Sequence, residues 1–391
     1  MGTDIVAGRE LFTAEHLAFR DSVRRFVKEQ LDPNAAAWNA AGIIPRDAWK
    51  QMGAMGFFGT GYEEKYGGSN VDLLYSVILA EELAKTKVSG LCLSICDHKD
   101  MSSNYILHGT EEIRQRYLPG CISGDLICGV AITEPSGGSD VAGLKTTAKP
   151  DGDHYVVSGQ KAFITNGISA DIMVVAARTA PSTSRSRDGL SLFVVETASP
   201  GFGRGAPLKK MGSVASDTAE LYFDGLRIPA KNLLGTLHGG YSILMENLGL
   251  ERLLGCAVYI SACEEILAIT TDYAKNRKIG GRAVTDFQVH AHRLAELYTK
   301  TALAKVFLYD TLARFMRRER VVKEVSMLKY YASELANEAA YVGVSMHGGW
   351  GYMKDFQICQ WYTDVRLFNL GAGTSDVMKE VIAKEILGRT P

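Results

Sequence analysis

A chain of 391 residues is long enough for two or three domains, each with its own core. Hydrophobic residues make up 46% of the chain and charged residues 22%, which is the balance of an ordinary globular protein and excludes a disordered one. With 43 basic against 44 acidic residues the formal net charge is −1, so the charge gives no reason to expect binding to nucleic acid or to an anionic membrane.

Residues 1–124 are predicted to form a helical domain. Apolar residues recur at helical spacing after Thr13, which is a suitable N-cap, and Pro33 is expected to end this first helix. Pro45 opens a second helical pattern, and residues 72–87 form a third. The first third of the chain therefore reads as helical throughout.

Residues 125–237 carry a different period. Short runs rich in β-branched and aromatic residues are separated by turn-forming residues such as Pro150 and Gly152. The runs are HYVVSG, DIMVVAAR, LSLFVVE and AELYFDGLRIP. This pattern predicts an antiparallel sheet and not a set of βαβ units.

Residues 238–391 return to helical periods, which persist to the end of the chain. The predicted helices span residues 241–276, 286–316, 322–346 and 376–388. The order of helices, strands and helices indicates the α+β fold class, with an N-terminal helical domain, a middle antiparallel β-domain and a C-terminal helical bundle.

The cysteines and histidines form no recognisable metal site. The seven cysteines are spread along the chain without a CxxC pair, and the histidines are not clustered, so we expect a reducing compartment and no structural metal. The first 30 residues contain no apolar run of signal-peptide length, and no stretch approaches 18 uninterrupted apolar residues, so no membrane span is expected. A bacterial-type cytoplasmic location is favoured, and the mitochondrial matrix stays open if the chain is already processed.

Glu251 is a carboxylate on the apolar face of a predicted helix. At helical spacing it shares that face with Leu244, Leu248, Leu254 and Gly255. An unpaired carboxylate there would raise its pKa, find a partner or be held for chemistry. Two interpretations stay open from this helix alone: an ordinary ion pair with Arg252 on a half-exposed face, or a functional carboxylate.

Four clusters combine glycine with small or hydroxyl residues, at 67–68, 136–140, 348–351 and 371–375. Such clusters let backbone N–H groups approach phosphates or a flat ring, although each alone has the composition of a turn. None is a GxGxxG after a strand or a GxxxxGK[ST], so neither a Rossmann nor a P-loop nucleotide site is supported. No HExxH and no GxSxG is present, so no hydrolytic arrangement is indicated either.

Taken together, the motifs resemble the signatures of the acyl-CoA dehydrogenase family in order and spacing. They are ITEPSGGSD (132–140), KAFITNG (161–167), KMG (210–212), SDT (216–218), NLLG (232–235), Arg277-Lys278 with Gln288, HGGWGYM (347–353) and GAGTSDVMKEVIAKEIL (371–387). The resemblance covers nearly the whole chain and is strongest to long-chain and isovaleryl-type members.

The resemblance implies that the C-terminal helices form a four-helix bundle and that the protein binds FAD. It also implies oxidation of an acyl-CoA thioester to its trans-2-enoyl product, an electron-transfer flavoprotein as electron acceptor, and a homotetramer built as a dimer of dimers. Such chemistry needs a base for the α-proton on one side of the Cα–Cβ bond and the flavin on the other.

The resemblance assigns residues at both ends of the cofactor. At the flavin end, the positions that match the loop lining the flavin and the pantetheine are Ile132, Thr133, Gly138 and Ser139. Phe163 and Thr165 match the residues packed beside the isoalloxazine. Arg277 and Gln288 match the pair that reaches the pyrophosphate and adenosine of a neighbouring subunit's FAD, and Gly349 matches a turn near the same cofactor. Near the adenine end, the matching positions are Thr374 and Asp376.

The catalytic base is relocated relative to the most common family pattern. Most members carry a glutamate in a Tyr-Glu-Gly-Thr sequence, but here Ala372 takes its place and cannot accept a proton. Long-chain and isovaleryl-type members supply the base from a helix, and the segment 248–252 matches that pattern with Glu251. By the same resemblance the backbone N–H of Ala372 donates to the thioester oxygen together with a flavin ribityl hydroxyl, while Arg252 and Gly373 face the substrate.

Three departures from the family pattern leave details open: Gly280 replaces a Phe, Ser345 a Gln, and Val214 a basic or aromatic residue.

Two other functions are alternatives to the dehydrogenase hypothesis. One is a flavoenzyme of the same fold with another reaction, of the oxidase or desulfinase type, and the other is a catalytically silent acyl-CoA-binding homologue. The length and branching of the acyl group, and whether the pathway is degradative or biosynthetic, are not fixed by the sequence.

Overall fold

A computed structural model of the protein describes residues 11–180 and 188–388. Within these residues, seven α-helices precede the first strand: α1 (Ala14–Phe26), α2 (Ala35–Ala41), α3 (Arg46–Ala54), α4 (Leu73–Leu83), α5 (Leu91–Cys96), α6 (Ser103–Ile106) and α7 (Glu111–Ser123). Two π-helical turns, Val27–Leu31 and Asp97–Ser102, continue α1 and join α5 to α6.

The ends of the first helices follow from local chemistry. Thr13 caps α1 as predicted, because its hydroxyl accepts a hydrogen bond from the His16 N–H at 3.4 Å. Pro33 does not end the helical path as predicted; it lies in a 3-10 turn, Asp32–Asn34, that leads straight into α2. Proline is tolerated in a first turn because the N–H it lacks would have no partner there. Pro45 precedes α3 as predicted.

The middle of the chain folds into one eight-stranded sheet within the described residues. Its strands are β1 (Cys128–Ala131), β2 (Thr147–Asp151), β3 (His154–Thr165), β4 (Ile172–Arg178), β5 (Leu190–Glu196), β6 (Phe202–Arg204), β7 (Thr218–Pro229) and β8 (Leu233–Leu234). The strand order is β6-β7-β3-β2-β4-β5-β8, with β1 paired to β4.

The strand pairs are mostly antiparallel, as predicted, with two exceptions. Strands β1 and β2 both run parallel to β4. A parallel pair needs a long crossover, and here the chain between β1 and β4 supplies it with the β2–β3 hairpin. Strand β4 is buried along its whole length, and its side chains alternate between two hydrophobic cores on the two faces of the sheet.

The last part of the chain is helical again. The helices are α8 (Gly240–Asn276), α9 (Gln288–Met316), α10 (Val322–His347), α11 (Gln357–Asp364) and α12 (Ser375–Leu387), with a small hairpin, β9 (Lys278–Ile279) and β10 (Arg282–Ala283), between α8 and α9. Helix α10 packs against α8, α9 and α12, so these four helices form the bundle. The fold class predicted from the sequence is confirmed.

Helix α8 organises the region between the first helices and the bundle. It packs against α4, against the π-helical turn Asp97–Ser102 and against α6, as well as against its bundle neighbours. Among the described residues it is the one helix whose length and composition would allow a membrane crossing, and 61% of its most apolar stretch is buried inside the fold. Central helices of bundles share this composition because they are apolar on every side.

Candidate active site

Glu251 lies in the middle of α8, on the face that the sequence predicted to be apolar. Leu244 and Leu254 on that face are buried. The Oε2 atom of Glu251 is fully buried and has no hydrogen-bond partner among the residues that the structure describes. The ordinary ion pair with Arg252 is therefore not formed by this oxygen, and the Arg252 guanidinium is directed to a backbone carbonyl instead.

Burial raises the pKa of the Glu251 carboxyl to about 7, because the ionised form loses its hydration. The positive charges of Arg252 and Lys329 act in the opposite direction and limit the rise. The carboxyl therefore exchanges its proton in the neutral range. A group with this pKa is suited to accept a proton from a carbon acid at physiological pH.

Two cations hold the loop 371–374 beside Glu251. The Arg252 Nε donates to the carbonyl oxygen of Ala372 at 2.9 Å. The Lys329 Nζ donates to the carbonyl oxygen of Phe368 at 2.9 Å and also to that of Gly373. Within this loop Ala372 has a φ of 54°, a left-handed conformation that is rare for a residue with a side chain. The loop is thus fixed in an unfavourable local conformation by side chains of α8 and α10.

Lys329 was not found by reasoning from the sequence. It lies on the buried face of α10 and is completely shielded from solvent. Burial lowers the pKa of its ammonium group to about 8, since the charged form is poorly solvated there. The sequence does contain a signal for it, because Lys329 is a charged residue on an otherwise apolar helical face. Glu251 was identified from the same kind of pattern.

The loop expected to line the flavin is a tight turn braced from β3. Glu134 and Gly137 exchange backbone hydrogen bonds at 3.2 and 3.0 Å, which closes the turn. Buried Lys161 donates to Glu134 Oε1 at 2.9 Å and to the carbonyl oxygen of Ile132 at 3.0 Å. The Thr133 carbonyl accepts from the Ala162 N–H at 2.9 Å. These bonds bring the 132–139 loop next to the end of β3.

Phe163 presents an exposed ring beside this loop. Its side chain is 70% exposed although it is large and apolar, and its φ is 59°, so the backbone is held in the left-handed region to direct the ring outward. Thr165 is half-buried on the same strand. Buried Asn166 anchors the strand end, because its Nδ2 donates to the Ser94 carbonyl at 3.0 Å. An exposed aromatic face of this kind fits a flat ligand ring.

A second site surrounds the end of α10 and the β9–β10 hairpin. A cavity of about 450 Å³ is lined by Arg277, Ser345, Gly349 and neighbouring residues. Arg277 and Gly349, which the resemblance assigns to the cofactor, therefore line the same cavity. Gln288 begins α9 and does not line this cavity. Gly280 has a φ of 57° in the two-residue turn of the hairpin, which accounts for a glycine at this position.

Thr374 and Asp376 belong to the start of α12 and do not line that cavity. The Thr374 hydroxyl caps the helix by accepting from the Val377 N–H at 3.2 Å. Asp376 is exposed and pairs with Lys379 at 3.2 Å. Thr374 thus ends the 371–374 loop, and Asp376 follows it in the first turn of α12. Among the described residues no group of three or more His, Cys, Asp or Glu side chains is arranged to hold a metal ion.

Comparisons with known proteins match this chain over nearly its whole length. Models described as the N-terminal, middle and C-terminal domains of acyl-CoA dehydrogenase match residues 13–125, 129–226 and 238–387. The mitochondrial long-chain specific acyl-CoA dehydrogenase of Mus musculus is 40% identical over 380 residues, covering 97% of this chain and 88% of the relative. The mitochondrial isovaleryl-CoA dehydrogenase of Pongo abelii is 32% identical over 373 residues, covering 95% and 88%.

Solved structures give the same result. The crystal structure of acyl-CoA dehydrogenase from Geobacillus kaustophilus superposes with a TM-score of 0.93 at 41% identity and covers 99% of this chain and 100% of its own. A chain from a structure of the electron transferring flavoprotein of Acidaminococcus fermentans superposes with a TM-score of 0.91 at 32% identity, covering 96% of this chain and 98% of its own.

Proposed function

The chain belongs to the acyl-CoA dehydrogenase family of FAD-dependent oxidoreductases, and on this premise we propose that Glu251 is the base that removes the α-proton of the acyl-CoA substrate. The observation that carries the proposal is the Oε2 atom of Glu251, a buried oxygen without a hydrogen-bond partner among the described residues. Burying a carboxylate without a partner costs free energy, and a role as proton acceptor gives a functional reason for the protein to bear this cost.

The residues at the flavin end fit FAD. The exposed ring of Phe163 offers a flat apolar surface, and the backbone of the 132–139 loop, braced by Lys161, borders it. Bound FAD supplies the hydride acceptor that the reaction requires. Arg277, on the cavity it shares with Gly349, offers a positive charge to a pyrophosphate, in this chain's own subunit or in a neighbouring one.

The protein's part in the reaction is to take a proton and to stabilise the charge that remains. The α-proton passes to the Glu251 carboxylate while the β-hydrogen leaves as a hydride, so that the substrate loses two electrons and becomes the trans-2-enoyl thioester. Negative charge develops on the thioester oxygen, where the N–H of Ala372 is available as a donor. Arg252 and Lys329 keep that donor in place by binding carbonyl groups of the same loop.

Three further assignments are part of the same proposal. The electrons pass to an electron-transfer flavoprotein, the subunits assemble as a homotetramer, and the enzyme acts in a cytoplasm of bacterial type. The first is supported by the structural likeness to a chain from an electron transferring flavoprotein structure. The second is supported by large apolar side chains that are exposed on the bundle, among them Leu303 on α9 and Tyr341 on α10.

Glu251→Gln tests the role of the base. The variant retains the shape of the side chain but cannot accept a proton, so it is expected to hold flavin normally and to bleach it with acyl-CoA at least about 100-fold more slowly than the wild type. Glu246→Gln is the matched control, because Glu246 is exposed on the same helix. Near-normal bleaching by Glu251→Gln would remove Glu251 from the mechanism. Rapid reoxidation in air without an added acceptor would indicate an oxidase.

A further inference from the structure

A cluster of buried polar groups lies on two elements that pack against helix α8, the helix that carries Glu251. It consists of Asp97, Ser102 and Tyr105, on the π-helical turn and on α6, and we call it the 97–105 cluster. All three residues are buried. Asp97 Oδ2 accepts hydrogen bonds from the Ser102 hydroxyl and from the Asn166 Nδ2, both at 3.3 Å. The Tyr105 hydroxyl has no hydrogen-bond partner in the described parts of the chain.

The 97–105 cluster faces the proposed base. Helix α8, which carries Glu251, packs against both the π-helical turn and α6. Burial and the negative charge of Glu251 raise the pKa of the Asp97 carboxyl well above its usual range. Burial and the charges of Glu251 and Asp97 also raise the pKa of the Tyr105 hydroxyl. Both groups therefore lie within the electrostatic range of Glu251, on the side of α8 where that carboxylate is buried.

Two features indicate that the 97–105 cluster serves a ligand. A π-helical turn is an uncommon conformation that occurs frequently at functional sites. A tyrosine hydroxyl that stays unsatisfied inside a protein is destabilising, whereas phenylalanine would fill the same volume without that penalty. Asn166, which donates to Asp97, also anchors the end of β3 beside Phe163, so the cluster is connected to the proposed flavin side of the site.

We propose that the substrate's acyl group carries a neutral hydroxyl close to the reacting carbons, and that the Tyr105 hydroxyl and the Asp97 carboxyl receive it. This inference rests on the proposed function, since it assigns the substrate class of the same site. A hydroxyl can donate to one of these groups and accept from the other, which gives the Tyr105 hydroxyl the partner that a saturated chain could not supply.

The charges around the cluster favour a neutral substituent over an ionic one. A carboxylate would be repelled by Glu251, and the nearest lysine of the turn, Lys99, is already bound by Asp100 at 2.5 Å and by the Ser76 hydroxyl at 2.7 Å. An ammonium group would be met best by an ionised Asp97, but burial and the charge of Glu251 raise the pKa of this carboxyl well above its usual range, which disfavours the ionised form. The arrangement thus favours an uncharged substituent that can both donate and accept a hydrogen bond, as a hydroxyl does.

The test separates binding from turnover by using the Glu251→Gln protein loaded with flavin. Its dissociation constants are measured by titration calorimetry for two acyl-CoAs of equal length, one saturated and one with a hydroxyl near the reacting carbons. We expect the hydroxylated compound to bind roughly tenfold more tightly. Adding Tyr105→Phe should abolish that preference and leave the affinity for the saturated compound unchanged.

Tyr62→Phe is the matched control, because Tyr62 is buried nearby but its hydroxyl already donates to the Lys99 carbonyl at 2.7 Å. The control should keep the preference for the hydroxylated compound. Equal or tighter binding of the saturated compound, or a preference that survives Tyr105→Phe, would overturn the inference. If neither compound binds and neither bleaches the flavin of the wild type, the proposed function fails instead. The two failures are therefore distinguishable.

Discussion

The pKa of Glu251 makes a quantitative prediction about the pH dependence of flavin reduction. The base is active only when ionised, and its pKa in the free protein is about 7. The rate constant for flavin reduction at low substrate concentration should therefore rise with pH, about tenfold per unit below neutrality, and level off above about pH 8. At pH 5 only about one molecule in a hundred holds an ionised Glu251, so the rate should be roughly 100-fold below the plateau.

The direction of this effect follows from burial. An exposed glutamate would already be ionised at pH 5.5 and would give a flat profile through the neutral range. The assay is anaerobic stopped-flow bleaching of the flavin by acyl-CoA between about pH 5 and pH 9, with affinity for an unreactive analogue measured in parallel to separate binding from proton transfer. A flat profile, or a midpoint near the ordinary glutamate value, would refute the reasoning from burial.

The charged groups around Glu251 allow a second test of its pKa. Arg252 and Lys329 lower the pKa of Glu251, so Lys329→Met should move the midpoint of the profile upward, by about one unit. Lys323→Met is the matched control, because Lys323 lies on the same helix α10 and, unlike Lys329, is only partly buried. A downward shift would contradict the assignment of Lys329 as an electrostatic partner of the base.

Three further substitutions test the supports of the site. Arg252→Met should slow flavin reduction at least tenfold and leave the flavin content unchanged, because the Ala372 carbonyl in the 371–374 loop loses the hydrogen bond from Arg252 at 2.9 Å. Flavin reduction is measured by stopped-flow bleaching, and flavin content by the ratio of flavin to protein absorbance. Lys161→Met should lower flavin content and melting temperature together, since it leaves Glu134 buried without its cation, a loss of about 3–5 kcal/mol for such pairs. Asp364→Ala should lower the melting temperature with a smaller effect on flavin content, because Ser89 loses an acceptor at 2.8 Å, worth about 1–3 kcal/mol.

The long elements could be predicted from the sequence, and the short ones could not. Helix α8 could be predicted from its length of 37 residues, and strand β5 from its run of apolar and β-branched residues. Helix α11 has only eight residues, and strand β1 has four residues that are all buried. Neither element is therefore marked by a clear pattern of apolar and polar residues. The parallel pairing of β1 with β4 depends on contacts across the sheet that no local pattern encodes.

The candidate site shows the same division. Glu251 could be identified from the sequence because its apolar neighbours lie on its own helix. Its partners in space, Lys329, Tyr105 and Asp97, come from other elements, and only the packing of α8 brings them near. The 97–105 cluster also depends on a π-helical turn, which changes which side chains face α8 and has no signature in the hydrophobic period.

Placing the base on α8 changes how the site is held together. Glu251 and Arg252 are consecutive residues, and the first is proposed to take the proton while the second binds the carbonyl of Ala372, whose N–H is proposed to meet the thioester oxygen. One rigid helix thus sets the positions of both groups that act on the substrate. A base on the 371–374 loop would instead move together with the Ala372 N–H, because both groups would belong to the same loop. The left-handed φ of Ala372 is the local cost of this arrangement, and the hydrogen bonds from Arg252 and Lys329 offset it.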